Sequence, residues 1–212
     1  MRWQIFLVCI LLLAGCVKKE KEQQAAEIQP TVYYSTDFSS NGLKGFDLAI
    51  TNGAAMGVVD GKEVRIGKAV QMRSQGFKSA YATAKNFTMD WGRSYSVSFD
   101  YTPLTADNLG YTVYEDRNAD LRLEYGSGLA CQDNDRQKHL ARFDPGKWSK
   151  VALDVRPSDG EYDVIVDGEL KGTCQTGENK VVTFMFGDAD PTDQTYGDGL
   201  WANFRITDRP WF

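Results

Sequence analysis

Short runs of strictly alternating apolar and polar positions dominate the chain from residue 32 onward, and one block of them is close to unambiguous. In residues 149–155, Val151, Leu153 and Val155 alternate with Lys150, Ala152 and Asp154. After a Pro157-Ser158-Asp159-Gly160 break, Tyr162, Val164 and Val166 alternate with Glu161, Asp163 and Ile165. A period of two gives each strand one face for a core and one for water. Asp167-Gly168 then offers the positive φ that a two-residue hairpin turn requires, and the chain returns through residues 169–174. The block predicts a three-stranded antiparallel meander.

The same signal recurs along the chain. Tyr95, Val97, Phe99 and Tyr101 alternate with Ser96, Ser98 and Asp100, and Phe46, Leu48 and Ile50 share one phase. Shorter strands are predicted over 63–66, 70–72, 80–83, 138–142, 180–186 and 200–206, with a hairpin of 111–115 and 119–125 around Asp116-Arg117-Asn118. No stretch carries a long period of 3.6. Ten Tyr and eleven Phe among twenty Gly suit half-buried pleated surfaces better than helices. The expected fold is therefore all-β: a single sandwich of two antiparallel sheets. A chain of 212 residues forms one such core comfortably and two with difficulty.

Particular residues within this pattern resemble a known superfamily. The Pro145-Gly146-Lys147-Trp148 lead-in, the hairpin from Gly160 to Leu170, and the late Gly187-Asp188 and Gly199-Leu200-Trp201-Ala202-Asn203-Phe204-Arg205-Ile206 segments are similar to concanavalin A-like lectin and glucanase domains, close to the laminin G-like members. The resemblance implies a jelly roll and a glycan as partner. Its retaining glucanases carry Glu-x-Asp-x-Glu on one strand, so that alternation aims three carboxylates at the sugar. Here Glu161 and Asp163 are present, but Ile165 and Val166 stand where the third carboxylate belongs. The resemblance thus implies a domain that binds polysaccharide without cleaving it, with no catalytic residue assigned. Two alternatives stay open: a hydrolase or lyase using Glu124 with Asp100 or Glu115, and an adhesion or scaffold module whose partner is protein.

The first fifteen residues belong to a different logic. Arg2, an apolar run over 3–14 and Leu13-Ala14-Gly15-Cys16 read as a signal peptide. That run is well short of the ~20 residues a membrane-spanning helix needs. Leu13-Ala14-Gly15-Cys16 resembles the bacterial lipobox, which implies lipidation of Cys16 and a chain anchored to membrane by that lipid. Residues 16–32, with Lys18, Lys19, Glu20, Lys21 and Glu22, read as a solvated tether. The sandwich then occupies 33–212. The expected location is the bacterial cell envelope. In a Gram-negative cell Val17, in place of Asp, points to the outer membrane.

Charge and rare side chains narrow the chemistry. A net charge of −5, one unit lower once Arg2 leaves with the leader, is the wrong sign for a nucleic-acid partner. Cys131 and Cys174 remain after Cys9 and Cys16 are assigned, and outside the cytoplasm they predict a disulfide. One histidine, His139, leaves little for a Ser-His-Asp site or for zinc. No cofactor is expected. Asp188, Asp190, Asp193 and Asp198 crowd one segment and are weak candidates for a structural Ca²⁺, although they lack the Gly and terminal Glu of an EF-hand loop. The expected glycan surface is a groove of polar strand faces around Asp100, Tyr114, Arg122 and Glu124, with Trp201 as a further sugar-stacking candidate.

Overall fold

The computed structural model describes residues 30–39, 42–44, 46–50, 54–60, 67–75, 80–84, 92–105, 123–125, 128–133, 136–175, 185–188 and 196–209. The leader, Cys16 and most of the tether lie outside them, as do Tyr114, Glu115, Arg122, Asp190, Asp193 and the expected strand over 63–66.

Described strands run in the order β1 (Val32–Thr36), β2 (Phe46–Ile50), β3 (Ala55–Asp60), β4 (Lys68–Gln75), β5 (Ala80–Ala84), β6 (Tyr95–Pro103), β7 (Leu123–Tyr125), β8 (Gly128–Asp133), β9 (Arg136–Arg142), β10 (Ser149–Arg156), β11 (Glu161–Val166), β12 (Glu169–Gln175), β13 (Met185–Asp188) and β14 (Tyr196–Thr207). An eight-stranded sheet has the order β12-β11-β10-β6-β14-β4-β3, and β1 flanks the other half of β14. The opposing layer consists of two three-stranded pieces, β13-β5-β2 and β7-β8-β9. All pairings among described strands are antiparallel. This is an all-β jelly-roll sandwich, as the alternation predicts.

The meander forms residue for residue. Val151 faces Val166, Leu153 faces Val164 and Val155 faces Tyr162, all buried. Its second turn has φ of 52° at Asp167 and 81° at Gly168, the primed geometry that matches strand twist. The Asp167 carboxylate also accepts from the Lys150 N–H at 2.8 Å, fixing the turn to β10.

The core lies between the layers. From the large sheet it takes Tyr95, Val97, Phe99 and Tyr101 of β6, the meander's apolar face, and Trp201, Phe204 and Ile206 of β14. Phe46, Ala82, Leu129 and Cys131 meet them from the opposing pieces. Edge-on aromatic contacts fill it: Tyr34 meets Phe46 of the opposing layer at 5.7 Å, and Tyr101 meets Phe143 of the β9–β10 connection at 5.3 Å between ring centroids. The Cys131–Cys174 disulfide joins β8 to the edge strand β12, with 6.4 Å between Cα atoms.

One expectation about strand phase is corrected. Plain alternation over 200–206 puts Trp201 opposite Phe204 and Ile206, yet all three are buried. The register with β6 shifts between Ala202 and Arg205, and Asn203 has φ of 51°. A bulge at that point inserts one residue and reverses the phase of the strand beyond it, so both halves of β14 feed the same core.

Candidate functional site: the outward face of the large sheet

The residues that alternate with the core set form a second surface, and pairing registers place them in rows. One row crosses Ala202, Asp100 and Lys150; the next crosses Arg205, Ser98, Ala152 and Ile165; a third crosses Thr207, Ser96, Asp154, Asp163 and Thr173. The middle of this face is built from small side chains. Ser96, Ser98, Ala152 and Ala202 are all buried. The result is a low strip flanked by charged groups.

Asp100 is the centre of the first row. Its Oδ2 accepts from Asn203 Nδ2 at 2.5 Å, a contact the β14 bulge makes by turning Asn203 toward β6. Burial pushes the Asp100 carboxyl above the usual range, while the Asn203 bond and the nearby Lys150 and Arg205 charges pull it back in part. Half-buried and surrounded by donors, it is a strong acceptor in a fixed position.

At the opposite end of the strip, Asp154 and Asp163 are direct cross-strand partners with different surroundings. Both Asp163 oxygens are taken: Arg156 donates to Oδ2 at 2.7 Å and to Oδ1 at 3.2 Å, and the Thr173 hydroxyl donates to Oδ1 at 2.6 Å. The Arg156 bond holds the Asp163 carboxyl below the ordinary range. Asp154 is raised instead by burial, which the Arg156 charge offsets in part and the Asp163 charge reinforces. Beyond β6, Asp198 of β14 accepts from Arg73 Nε and Nη2 at 2.8 and 2.6 Å and from Gln71 Nε2 at 2.8 Å.

These placements sort the expected site residues. Asp100 stands on the outward face of β6. Tyr114 and Arg122 lie outside the described residues. Glu124 does not join Asp100: β7 pairs with β8 in the opposing layer, so the expected single groove combining them is not formed by one sheet. Trp201 is corrected from sugar platform to core, since it is 2% exposed and its ring meets Tyr101 at 5.0 Å. Gly199 permits this, because a Cβ there would come within 2.9 Å of the indole.

Of the calcium candidates, Asp198 accepts from Arg73 and Gln71, and Asp190 and Asp193 lie outside the described residues. Asp188 ends β13. Among the described residues no group of three or more His, Cys, Asp or Glu side chains could hold a metal ion. His139 is an exposed residue of β9.

Sequence reasoning does not single out Asn203, Lys150, Arg205, Asp154 or Ser96 as site residues. The polar phases of β6 and β10 are readable; the bulge that brings in Asn203 leaves no mark in the sequence except an Asn tolerant of positive φ.

No protein-family model and no curated sequence matches this chain. Solved structures do. A sialidase superposes with a TM-score of 0.60 at 16% identity, over 84% of this chain and 19% of that one. Domain 4 of AbnA, a GH43 extracellular arabinanase from Geobacillus stearothermophilus solved with arabinotriose, gives 0.52 at 18% identity, over 85% and 94%. The botulinum neurotoxin type G receptor binding domain gives 0.53 at 13%, over 86% and 49%. The chain thus spans about a fifth of the sialidase's length. At these identities the likeness establishes the fold alone: a jelly-roll β-sandwich.

Proposed function

We propose that this is a glycan-binding domain that holds polysaccharide on the outward face of its large sheet without cleaving it, and that the chain is tied to a bacterial envelope membrane through lipid on Cys16. The observation that carries the binding reading is the low strip of Ser96, Ser98, Ala152 and Ala202, flanked by Asp100–Asn203, Lys150 and Arg205. Fixed donors and acceptors flanking these small residues suit sugar hydroxyls. The arabinotriose-bound arabinanase domain, which has the same fold, is in keeping with it.

The carboxylates favour binding over hydrolysis. Asp100 lies opposite Lys150 and Asp154 four residues further along β10, an offset of about 13 Å at the rise of a strand. A glycosidase pair works at about 5 to 9.5 Å. Asp154 and Asp163 are close enough, but Asp163 is held in a bidentate pair with Arg156 and accepts from Thr173 as well, the arrangement of a structural ion pair.

Retention of the full-length chain on a polysaccharide panel, with reducing ends assayed in the same samples, tests this. Binding with no new reducing or unsaturated ends supports the proposal; release of ends places the protein among the hydrolases or lyases. The anchor is tested separately: mass spectrometry of membrane-extracted protein should show acylated Cys16 at the N-terminus, and an unmodified Cys16 contradicts it.

A further inference from the structure

The same face carries a charge pattern that selects among glycans. Two of its three described arginine forks are filled, Arg73 by Asp198 and Arg156 by Asp163. Arg156 also has Asp159 at 3.6 Å and Glu161 at 3.7 Å. Lys150 and Arg205 both lie within the field of Asp100. Every cation described along these rows therefore has a carboxylate beside it.

The carboxylates are less evenly matched. Asp154 accepts no hydrogen bond among the described residues, its neighbours in register are Ser96 on one side and Asp163, another carboxylate, on the other, and the Arg156 charge that reaches it is shared with Asp159, Glu161 and Asp163. Ser96 sits on the same face, 1% exposed, with no hydrogen-bond partner for its Oγ. A buried hydroxyl without a partner is a cost that the fold bears at this point. What the strip offers an incoming molecule here is an acceptor, negative in charge.

We infer that the glycan held on this face is uncharged: Asp154, with no cation bonded to it, takes hydroxyl donors from a neutral sugar and repels the carboxylate of a uronic or sialic acid, while the forks of Arg73 and Arg156 are filled and Arg205 has the Asp100 carboxylate in the neighbouring row. Recognition of a planar anion calls for an open arginine fork, and a like charge fixed in the site works as a rejecting element. The inference rests on the glycan-binding reading above and adds its substrate class.

Isothermal titration of the full-length chain separates the two. The probes are hexasaccharides of laminarin, cellulose, mannan and arabinan on one side, and of polygalacturonate and polymannuronate, together with sialyllactose, on the other. At least one neutral probe should bind, with an affinity that changes less than about twofold between roughly 0.05 and 0.5 M salt. The anionic probes should bind about tenfold more weakly or not at all. Asp154→Asn should narrow that gap by about threefold or more, through stronger binding of the anionic probes, because it removes the repelling charge and keeps an acceptor. Asp154→Ser serves as a second variant, and thermal unfolding confirms that both fold.

An anionic probe that binds the parent as tightly as any neutral one, with affinity falling as salt rises, overturns the inference and leaves glycan binding standing. So does a neutral preference that neither variant alters. If no probe of either class binds, the reading beneath the inference fails and takes it along.

Discussion

Asn203 reaches across from β14 to hydrogen-bond Asp100 of β6 at 2.5 Å, and does so from a left-handed backbone conformation, φ 51°. One residue therefore carries the bulge that re-phases β14 and also holds the central carboxylate of the outward face. Asn203→Ala loses both functions. It should destabilise the fold by about 2.5 to 4 kcal/mol, combining roughly 1 kcal/mol for the left-handed conformation with about 1.5 to 3 for a hydrogen bond to a charged group. Asn203→Gly restores the backbone part alone and should fall between Ala and parent. Urea unfolding of the three proteins checks the order.

Much of this architecture can be read from the chain. The meander of β10, β11 and β12 follows from alternation and an Asp-Gly turn, and its register needs nothing beyond neighbouring residues. The environment of β14 is different in kind. Its partners β1, β4 and β6 come from three distant parts of the chain, and the bulge at Asn203 reverses the side-chain phase partway along. Simple alternation therefore puts Trp201 on the wrong face and gives Asn203 no special place. Glu124 and Asp100 both sit on polar phases, but no local pattern says that β7 belongs to the opposing layer.

Gly199 and Trp201 give a second prediction. A methyl group at 199 would lie 2.9 Å from Trp201 Cη2 and 3.0 Å from Tyr101 Cε2, with both rings packed in the core. Gly199→Ala should cost about 1 to 3 kcal/mol, as overpacking does, and should shift the tryptophan emission of the folded protein. Thermal unfolding followed by fluorescence reads both.

Asp154 and Asp163 should respond to pH in opposite senses although they are cross-strand neighbours. The Asp163 carboxyl is lowered by Arg156, so its contribution is present above the unfolded value of 3.8 and is lost as pH falls through the folded value. The Asp154 carboxyl is raised by burial, so the folded state binds its proton more tightly, and stability declines as pH rises from 3.8 through the folded value. At neutral pH, Asp163→Asn should destabilise by about 1 kcal/mol, a figure kept small by the part-exposed pair. Asp154→Asn should be neutral or stabilising. Unfolding free energies of both variants between acid and neutral pH test the signs.

The Cys131–Cys174 bond closes a sequence separation of 43 residues and ties the smaller layer to the edge of the large sheet. Chain entropy puts its contribution near ~4 kcal/mol. The paired Cys131→Ala, Cys174→Ala variant should therefore melt well below the parent. Thiol titration of the unfolded, non-reduced parent should find neither residue free.

The central claim is that glycan is held on the outward face around Asp100. Its most direct test is a glycan array probed with the full-length chain, parent beside Asp100→Ala and Arg205→Ala, with and without Ca²⁺. The account predicts that the parent retains a defined set of glycans equally with and without calcium, and that each variant loses about tenfold or more on that same set, the size of effect given by removing one charge-assisted contact. A parent that retains no glycan, or variants that bind the same set as tightly as the parent, would contradict it.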